Sequence, residues 1–586
     1  MSEFGIRIKN IEAATLFAYN LGVRESYQYV EAMLPNSLLN DFLLEHGLEV
    51  RGGESTRDII CLEFNYGSRS YAQEMDHLRL TTLKARAEHE AAILRGDAYL
   101  IRKSMGKRLK LNELVETAYQ KKDLFREYSK EELRRVYYNE GCDVHYYTHD
   151  KDGNRVLQET IHYRYLFRSA GKAKKGTCMF IREELYELTK DYLYMGIKLP
   201  DHGAKIVEVS AYSSLVASGI VGRIKIDPDN ILVLNDVSRY FETNIVSVET
   251  DDKQHCIARR IDKYELKNEM FDGQALIDSS IFPDWGNGYI LLRQHFCKMA
   301  AFKTHIQKFF RDKFGDEYDT ATVTDMFGNE IRVKDVLLVT TNNALKFLKM
   351  GYSYDYWKGK VRENGCLFGI VKTAHPSKLG RYQKMSYQMV NSLDAARMDA
   401  VLADTKSYIL QLKNDIPTFK EFLYRNQNFA NDYSVMLALC DWNSDFERSS
   451  YFRNRKKKIV DNYILTIKRG EIIQDADNLT IVGSPYAMLL YAATGDESDC
   501  DMDDTFCYEK GTIQCYAERF NDGIYLAGFR SPFNGKYNMS YLHNVYSDIY
   551  KKYFDLGKQV IAVNMNGTDF QDRNNGSDQD SPWVSV

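Results

Sequence analysis

The sequence predicts a multi-domain α+β protein, on three observations. The chain is 586 residues long, and 44% of it is apolar against 27% charged, enough for several buried cores at roughly 100–200 residues per domain. Helical periodicity and short alternating strands take turns along it, instead of following each other one for one as in a doubly wound sheet. Proline is scarce, at 9 residues, and no Pro-rich linker, repeat or low-complexity tract divides the chain. Aromatics reach 13%, carried by Tyr 42 and Phe 29, a composition that suits strands and wet surfaces.

The elements follow in order. Residues 1–150 read as a helical N-terminal region, with LKARAEHEAAILRGDAYLIRK and KKDLFREYSKEELRRVYY at helical spacing and few breakers. Residues 151–204 hold a hairpin and a helix with a basic loop. CDVHYYTHDKDGNRVLQETIHYRYLF alternates on both sides of Asp152-Gly153-Asn154, and IREELYELTKDYLYMG stops at Gly196 with Pro200 beyond. A first β module spans 205–345: IVEVS, RIKIDPDNILVLND around an Asp-Pro-Asp-Asn turn, NIVSVE, GYILLRQHF and VLLVTT. Residues 346–479 are a mostly helical connector. A second β module, 480–586, contains LTIVG, GTIQCYAERF, DGIYLAGFR and QVIAVNMNG.

Charge and cysteine usage bound the function classes. The net charge of −4 excludes a globally basic nucleic-acid coat, so a polyanion has to meet a local patch. The ten cysteines are dispersed without a C-x-x-C pair, which reads as a reduced intracellular set. No apolar run nears the ~18–20 residues of a membrane helix, and the N-terminus lacks a signal-peptide core. A cytoplasmic protein with no membrane partner is expected.

Several constellations carry chemistry. NMNGTDFQDRNNGSDQDS places Asp569, Asp572, Asp578 and Asp580 on a Gly/Asn-rich loop after the strand QVIAV. Loop carboxylates at i and i+2 can converge on one hard cation such as Mg²⁺, and Asn575-Gly576 permits the positive-φ bend this needs. An acidic loop of this kind otherwise reads as a solvated turn. GDESDCDMDD fails the EF-hand template and reads as solvated. Cys142-x-x-His145-x-x-x-His149 has zinc ligand types but no second knuckle, so surface histidines explain it as well. RYLFRSAGKAKKG groups Arg164, Arg168, Lys172, Lys174 and Lys175 among glycines and aromatics, suited to nucleic-acid phosphates. RNRKKK at 453–458 is a plain charge run, and no G-x-x-x-x-G-K-[ST] loop is present. LLRQHFCKMAAFKT sets Arg293, Lys298 and Lys303 downstream of Asp272-Gly273-Gln274, and lysines hold phosphates as point charges.

In this order the segments resemble the double-psi β-barrel RNA polymerases, which include the silencing-type RNA-dependent enzymes and single-chain phage RNA polymerases. FDGQALID and LLRQHFCKMAAFKT resemble the D-G-x-[GA] and C-K-G region of the first barrel. Lys298 takes the place of its lysine, Lys303 is a second contact, and Met299 departs from the usual glycine. GFRSP is similar to the R-x-P segment, through Arg530 and Pro532. NGSDQDS stands where the family has N-x-D-x-D-G-D: Asp578 and Asp580 match the first two aspartates, and Ser581 and Pro582 replace the glycine and the third aspartate. YRYLFRSAGKAKKGTCMFI loosely resembles a stretch ahead of the silencing polymerases' catalytic core.

The resemblance spans about residues 160–581, and residues 1–150 stay unassigned. It implies two barrel-like modules joined by the connector, the second incomplete, with a second polypeptide as one means of completing it. It implies a nucleotidyltransferase that adds NTPs to an RNA 3′ end on a nucleic-acid template. Mg²⁺ would sit on Asp578 and Asp580, and Lys298, Lys303 and Arg530 would form the catalytic set. With one carboxylate missing, little activity is expected of this chain. A non-catalytic nucleic-acid-binding protein sharing the barrels, or a metal-dependent nuclease, are the alternative readings.

Overall fold

A computed structural model describes residues 5–150, 155–168, 178–198, 205–380, 382–386, 395–428, 431–530, 536–577 and 584–585. The chain is mixed α and β throughout, and divides into two compact units, Met1–Ile220 and Val221–Val586.

Unit 1 is built on strands β1 (Ile6–Glu12), β2 (Tyr29–Leu34), β3 (Ser55–Glu63), β4 (Cys142–His149), β5 (Arg155–Phe167) and β6 (Cys178–Arg182), in the order β2-β1-β3-β6-β5-β4. Only β1 and β3 pair in parallel. Helices α1 (Ala13–Asn20) and α5 (Lys130–Glu140) cover one sheet face, packing Leu16, Leu133 and Tyr137 on Ile11, Ile60, Val144 and Phe180. Helix α2 (Leu38–Glu45) precedes β3, while α3 (Tyr71–Arg95) and α4 (Ala98–Gln120) pair as a hairpin.

The first 150 residues are mostly helical, as read, but also contain four strands: β1, β2, β3 and β4 are short and interleaved with helices, so the two long helices dominate the periodicity. The single helical run through LKARAEHEAAILRGDAYLIRK is broken at Gly96, whose φ is +68°. There Asp97 restarts the helix by accepting from the Tyr99 and Leu100 amides at 3.0 and 3.1 Å. IVEVS, read as a strand, lies in the helix Lys205–Ser213. Burial falls on Val209, Ser213 and Val216, a 3.6-residue spacing that five residues are too few to reveal.

Unit 2 holds two larger sheets. Its first run of strands is β7 (Gly222–Lys225), β8 (Ile231–Leu234), β9 (Ser238–Thr250), β10 (Cys256–Glu269), β11 (Gln274–Asp278), β12 (Tyr289–Gln294) and β13 (Cys297–Thr304). The short pair β14 (Thr322–Thr324) and β15 (Glu330–Arg332) follows, then β16 (Leu338–Thr341), β17 (Leu367–Thr373) and β18 (Gln383–Ser386). After a helical stretch come β19 (Glu471–Gln474), β20 (Asn478–Gly483), β21 (Ile513–Tyr516), β22 (Tyr525–Gly528), β23 (Ser540–Asn544), β24 (Val560–Val563) and β25 (Val584–Ser585).

The first sheet runs β7-β17-β12-β13-β11-β16-β8 and the second β22-β23-β21-β24-β20-β25. Within them lies the same five-strand pattern. In β12-β13-β11-β16-β8 the successive pairings are antiparallel, parallel, antiparallel, parallel. In β22-β23-β21-β24-β20 they are the same, and the chain visits the five positions in the same sequence. A helix leaves β13 (Ile306–Phe314) and another leaves β23 (Asp548–Tyr553), at matching places in the two modules.

The two sheets share one core, in which Leu232, Leu276, Leu291 and Phe302 meet Leu479, Val482, Ile561 and Val563. Gln274 stitches them: its amide donates to the Gly483 carbonyl at 3.0 Å and accepts from the Gly483 amide at 2.7 Å. Gly288 lies so close to Leu556 that a Cβ would meet its carbonyl oxygen at 1.9 Å, at a φ of +79°. A side chain there would push the seam apart.

Helices Ala403–Asn414, Ile416–Asn426, Tyr433–Trp442 and Ser450–Ile467 build a separate small core around Phe419, Leu423 and Phe452. Among the described residues no helix is long and apolar enough to cross a membrane.

Candidate functional site

Strand register sets the first part of the site. Arg293 on β12 lies opposite Lys298 on β13, and Leu291 lies opposite Ala300 on one side and Lys372 of β17 on the other. Side chains two apart on a strand share a face, so Arg293, Lys298 and Lys372 stand together across three adjacent strands. The same face supplies Leu291, Ala300, Phe302 and Ala374 to the core shared by the two sheets. Basic side chains thus continue the surface that meets the second module.

This crowding has an electrostatic signature. Burial, then the charges of Arg293 and Lys298, lower the Lys372 ammonium to about 8. Burial raises the Cys297 thiol to about 12, although the Arg293 and Lys346 charges pull it the other way. Three or four cations gathered at the edge of a low-dielectric core favour an anion. Lys372 went unnoticed in the sequence because it lies about seventy residues from Lys298; a lone lysine in the apolar strand LFGIVKT was the available signal.

Lys298 and Lys303 are not brought together. Five residues apart on β13, they fall on opposite faces. Lys303 bonds Asp555 at 2.5 Å, at the seam where Thr304 bridges to Phe554 and the His305 amide donates to the Tyr553 carbonyl at 2.7 Å.

The second part of the site is the loop after β24. Asn268, at the end of β10, donates to the Met565 carbonyl at 3.4 Å and to that of Thr568. Gln571 clamps the Glu269 backbone, accepting from its amide at 3.0 Å and donating to its carbonyl at 2.8 Å. The first module therefore holds the loop of the second. Asn575 and Gly576 both take the left-handed conformation, at φ +57° and +62°, as the Asn-Gly reading anticipates. The Gly576 amide donates to the Gln571 carbonyl at 2.8 Å, and Ser577 is buried.

Arg530 joins this loop: its carbonyl accepts from Asn575 at 3.1 Å, while Asn538 donates to the Arg573 carbonyl and to Asn575 at 2.9 and 3.1 Å. Asp569 pairs with Arg573 at 2.7 Å and Asp572 with the Tyr537 hydroxyl, so neither is set aside for a cation. Asp578, Asp580, Ser581 and Pro582, which follow Ser577 in the sequence, lie outside the described residues, as does Pro532.

The remaining sequence candidates lie in unit 1. Arg164 on β5 pairs with Glu183 and Glu187 at 3.1 and 3.2 Å and stacks 3.7 Å over the Tyr186 ring. Its charge is already answered. Arg168 ends the described stretch, and Lys172, Lys174 and Lys175 fall outside it. Cys142 is buried on β4, whereas His145, three residues on, accepts or donates at Thr160 at 2.8 Å. These two do not converge. Among the described residues no group of three or more His, Cys, Asp or Glu side chains could hold a metal.

No family model matches the chain. It is similar to a curated protein, the DNA-directed RNA polymerase YonO of Bacillus phage SPbeta, with 23% identity over 372 residues, 60% of this chain and 42% of that one. The chain thus spans less than half the length of this relative.

Proposed function

We propose that the chain is an RNA polymerase-like nucleotidyltransferase, which adds NTPs to an RNA 3′ end on a nucleic-acid template. The observation that carries this reading is the repeated five-strand pattern with divided chemistry: basic strands on one module and an acidic loop, held by that module, on the other. Similarity to a phage polymerase supports it, and the repeat supports reading both sheets as double-psi β-barrel modules. DNA is the first template to test, because the relative is named as DNA-directed.

The donor set fits Mg²⁺, since Asp578 and Asp580 offer hard oxygens and this ion is commonly held by one or two carboxylates plus substrate phosphates. When bound, Mg²⁺ supplies charge neutralisation at the phosphates and makes a hydroxyl more acidic.

The chain's own residues do the rest. Lys298, Arg293 and the protonated Lys372 neutralise the triphosphate. The RNA 3′-hydroxyl oxygen bonds to the α-phosphorus, its proton passing to solvent water, as the bond to the leaving pyrophosphate breaks. Arg530, beside the loop, orients the sugar or the template strand. Lys303 reaches a phosphate only by leaving Asp555. Arg168, Lys172, Lys174 and Lys175 form a further nucleic-acid contact, which Arg164 joins only by leaving Glu183 and Glu187. Pro582 in place of a third carboxylate predicts weak turnover.

Primer extension with labelled NTP and Mg²⁺ tests the reading. Low incorporation that vanishes in D580A is expected. Incorporation undiminished in D580A contradicts it, and short products released from labelled RNA without NTP point to the nuclease alternative.

A further inference from the structure

Two elements of the chain stand out from their sheets: the helical hairpin α3–α4 and the two-stranded ribbon β9–β10. At about 1.5 Å per residue the 25-residue α3 and 23-residue α4 extend roughly 35 Å. Their mutual seam is narrow. Leu78, Ala85 and Ala92 on α3, and Ser104, Leu111 and Ala118 on α4, are buried at intervals of seven residues, the spacing of a coiled-coil contact. His89 and Ser104 hydrogen bond across the seam at 2.9 Å. Small residues draw the helices close; the base of the hairpin packs on Ala18, Leu21 and Val23, and most of the remaining surface lies in solvent.

The solvent faces are strongly basic. Residues 79–110 contain nine Lys and Arg and three Asp and Glu, within a chain of net charge −4. From Ala98 to Leu111 helix α4 has no acidic residue at all. Tyr99, Lys103, Lys107 and Lys110 recur at three- and four-residue spacing, which puts them on one stripe, and all four are exposed. Lys103 lies 5.9 Å over the Tyr99 ring, and Lys107 pairs with Glu88 at 2.7 Å. The ribbon is a built-in contrast: residues 238–269 hold six basic and seven acidic residues, a balanced surface with no preference for a polyanion.

We propose that the α3–α4 hairpin is a nucleic-acid-binding arm, in which Lys103, Lys107 and Lys110 track the phosphodiester backbone and Tyr99 offers a ring to an unstacked base. A rod bearing one-signed charge along one edge matches a polymer with regularly spaced phosphates. The inference rests on the arm's own charge and shape, and holds whether or not the catalytic reading does.

The test is fluorescence anisotropy of the full chain with labelled single-stranded and duplex DNA, without NTP or Mg²⁺, across a salt series. K103E/K107E/K110E is compared with K253E/R259E/R260E on the ribbon, which makes the same change in net charge. The arm variant is expected to bind about 10–100-fold more weakly, with a salt slope reduced by about 2–3, while the ribbon variant stays near the parent. K103R/K107R/K110R is expected to retain binding, and thermal unfolding to remain close to the parent because the three side chains are exposed. Equal losses in the arm and ribbon variants would reduce the effect to net charge and overturn the proposal. So would unchanged affinity and slope in the arm variant, the result expected if the arm docks a protein instead.

Discussion

The two large sheets of unit 2 follow one strand order and one pairing pattern, yet they are equipped oppositely. The first carries its chemistry on strands, where register alone places Arg293, Lys298 and Lys372 side by side. The second carries it on a loop, whose position is fixed by side-chain bonds from the first, through Asn268 and the Glu269 backbone. Duplicated topology makes two similar scaffolds, and the side chains then differ: the first sheet gathers basic residues on its strands, and the loop of the second is held by bonds from the first module. Strand positions resist displacement, whereas a loop needs external anchors.

Removing the carboxylate end is the strongest way to break this division. D580A should lower NTP incorporation by on the order of 10²-fold or more, with circular dichroism and melting unchanged. Removing the basic end comes next: K298A should cost roughly 10–100-fold in kcat/KM, equivalent to about 1.4–2.8 kcal/mol, whereas K303A should cost far less because Lys303 is on the opposite face of the strand.

Lys372 sharpens the comparison through pH. A lysine lowered to about 8 is cationic below that pH and neutral above it, so Mg²⁺–NTP affinity should fall as pH rises through about 8. K372R, which stays charged, should flatten the profile. The linkage to folding has the opposite sense. Between about 8 and the ordinary lysine value the unfolded chain holds more protons, so this residue makes the free protein more stable as pH rises. K372M should therefore melt higher than the parent at pH 7 while binding nucleotide more weakly.

The joints between the sheets give smaller effects. Q274A leaves both Gly483 backbone groups without their side-chain partner in a buried seam, and should cost about 1–3 kcal/mol in urea unfolding. D555N breaks an ion pair in which the Asp555 side chain is 51% exposed, and should cost at most about 1 kcal/mol.

The α+β class was legible because alternating strands and long helices leave different periodicities. So were the strands ILVL, YILLRQ and VIAV, the helices between Ala403 and Ile467, and the Asn575-Gly576 bend. What escaped depends on distance along the chain. Nothing local to VKTAHP says that Lys372 stands two strands from Lys298, and the opposite facing of Lys298 and Lys303 emerges only once the stretch from Cys297 to Thr304 is known to be one unbroken strand. The sheet of unit 1 was masked by the strength of the α3 and α4 signal. IVEVS was misread since β-branched residues favour strands locally, while tertiary burial at Val209 and Val216 selects a helix.

Replacing Mg²⁺ by Fe²⁺ and mapping hydroxyl-radical cleavage of the chain tests the central claim directly, namely that the acidic loop and the basic strands form one site. Cuts near 578–580 together with cuts near 293–298 and 372, all lost in D578A/D580A, are the predicted result. Cuts confined to the loop, or a pattern unchanged in the double variant, would contradict it.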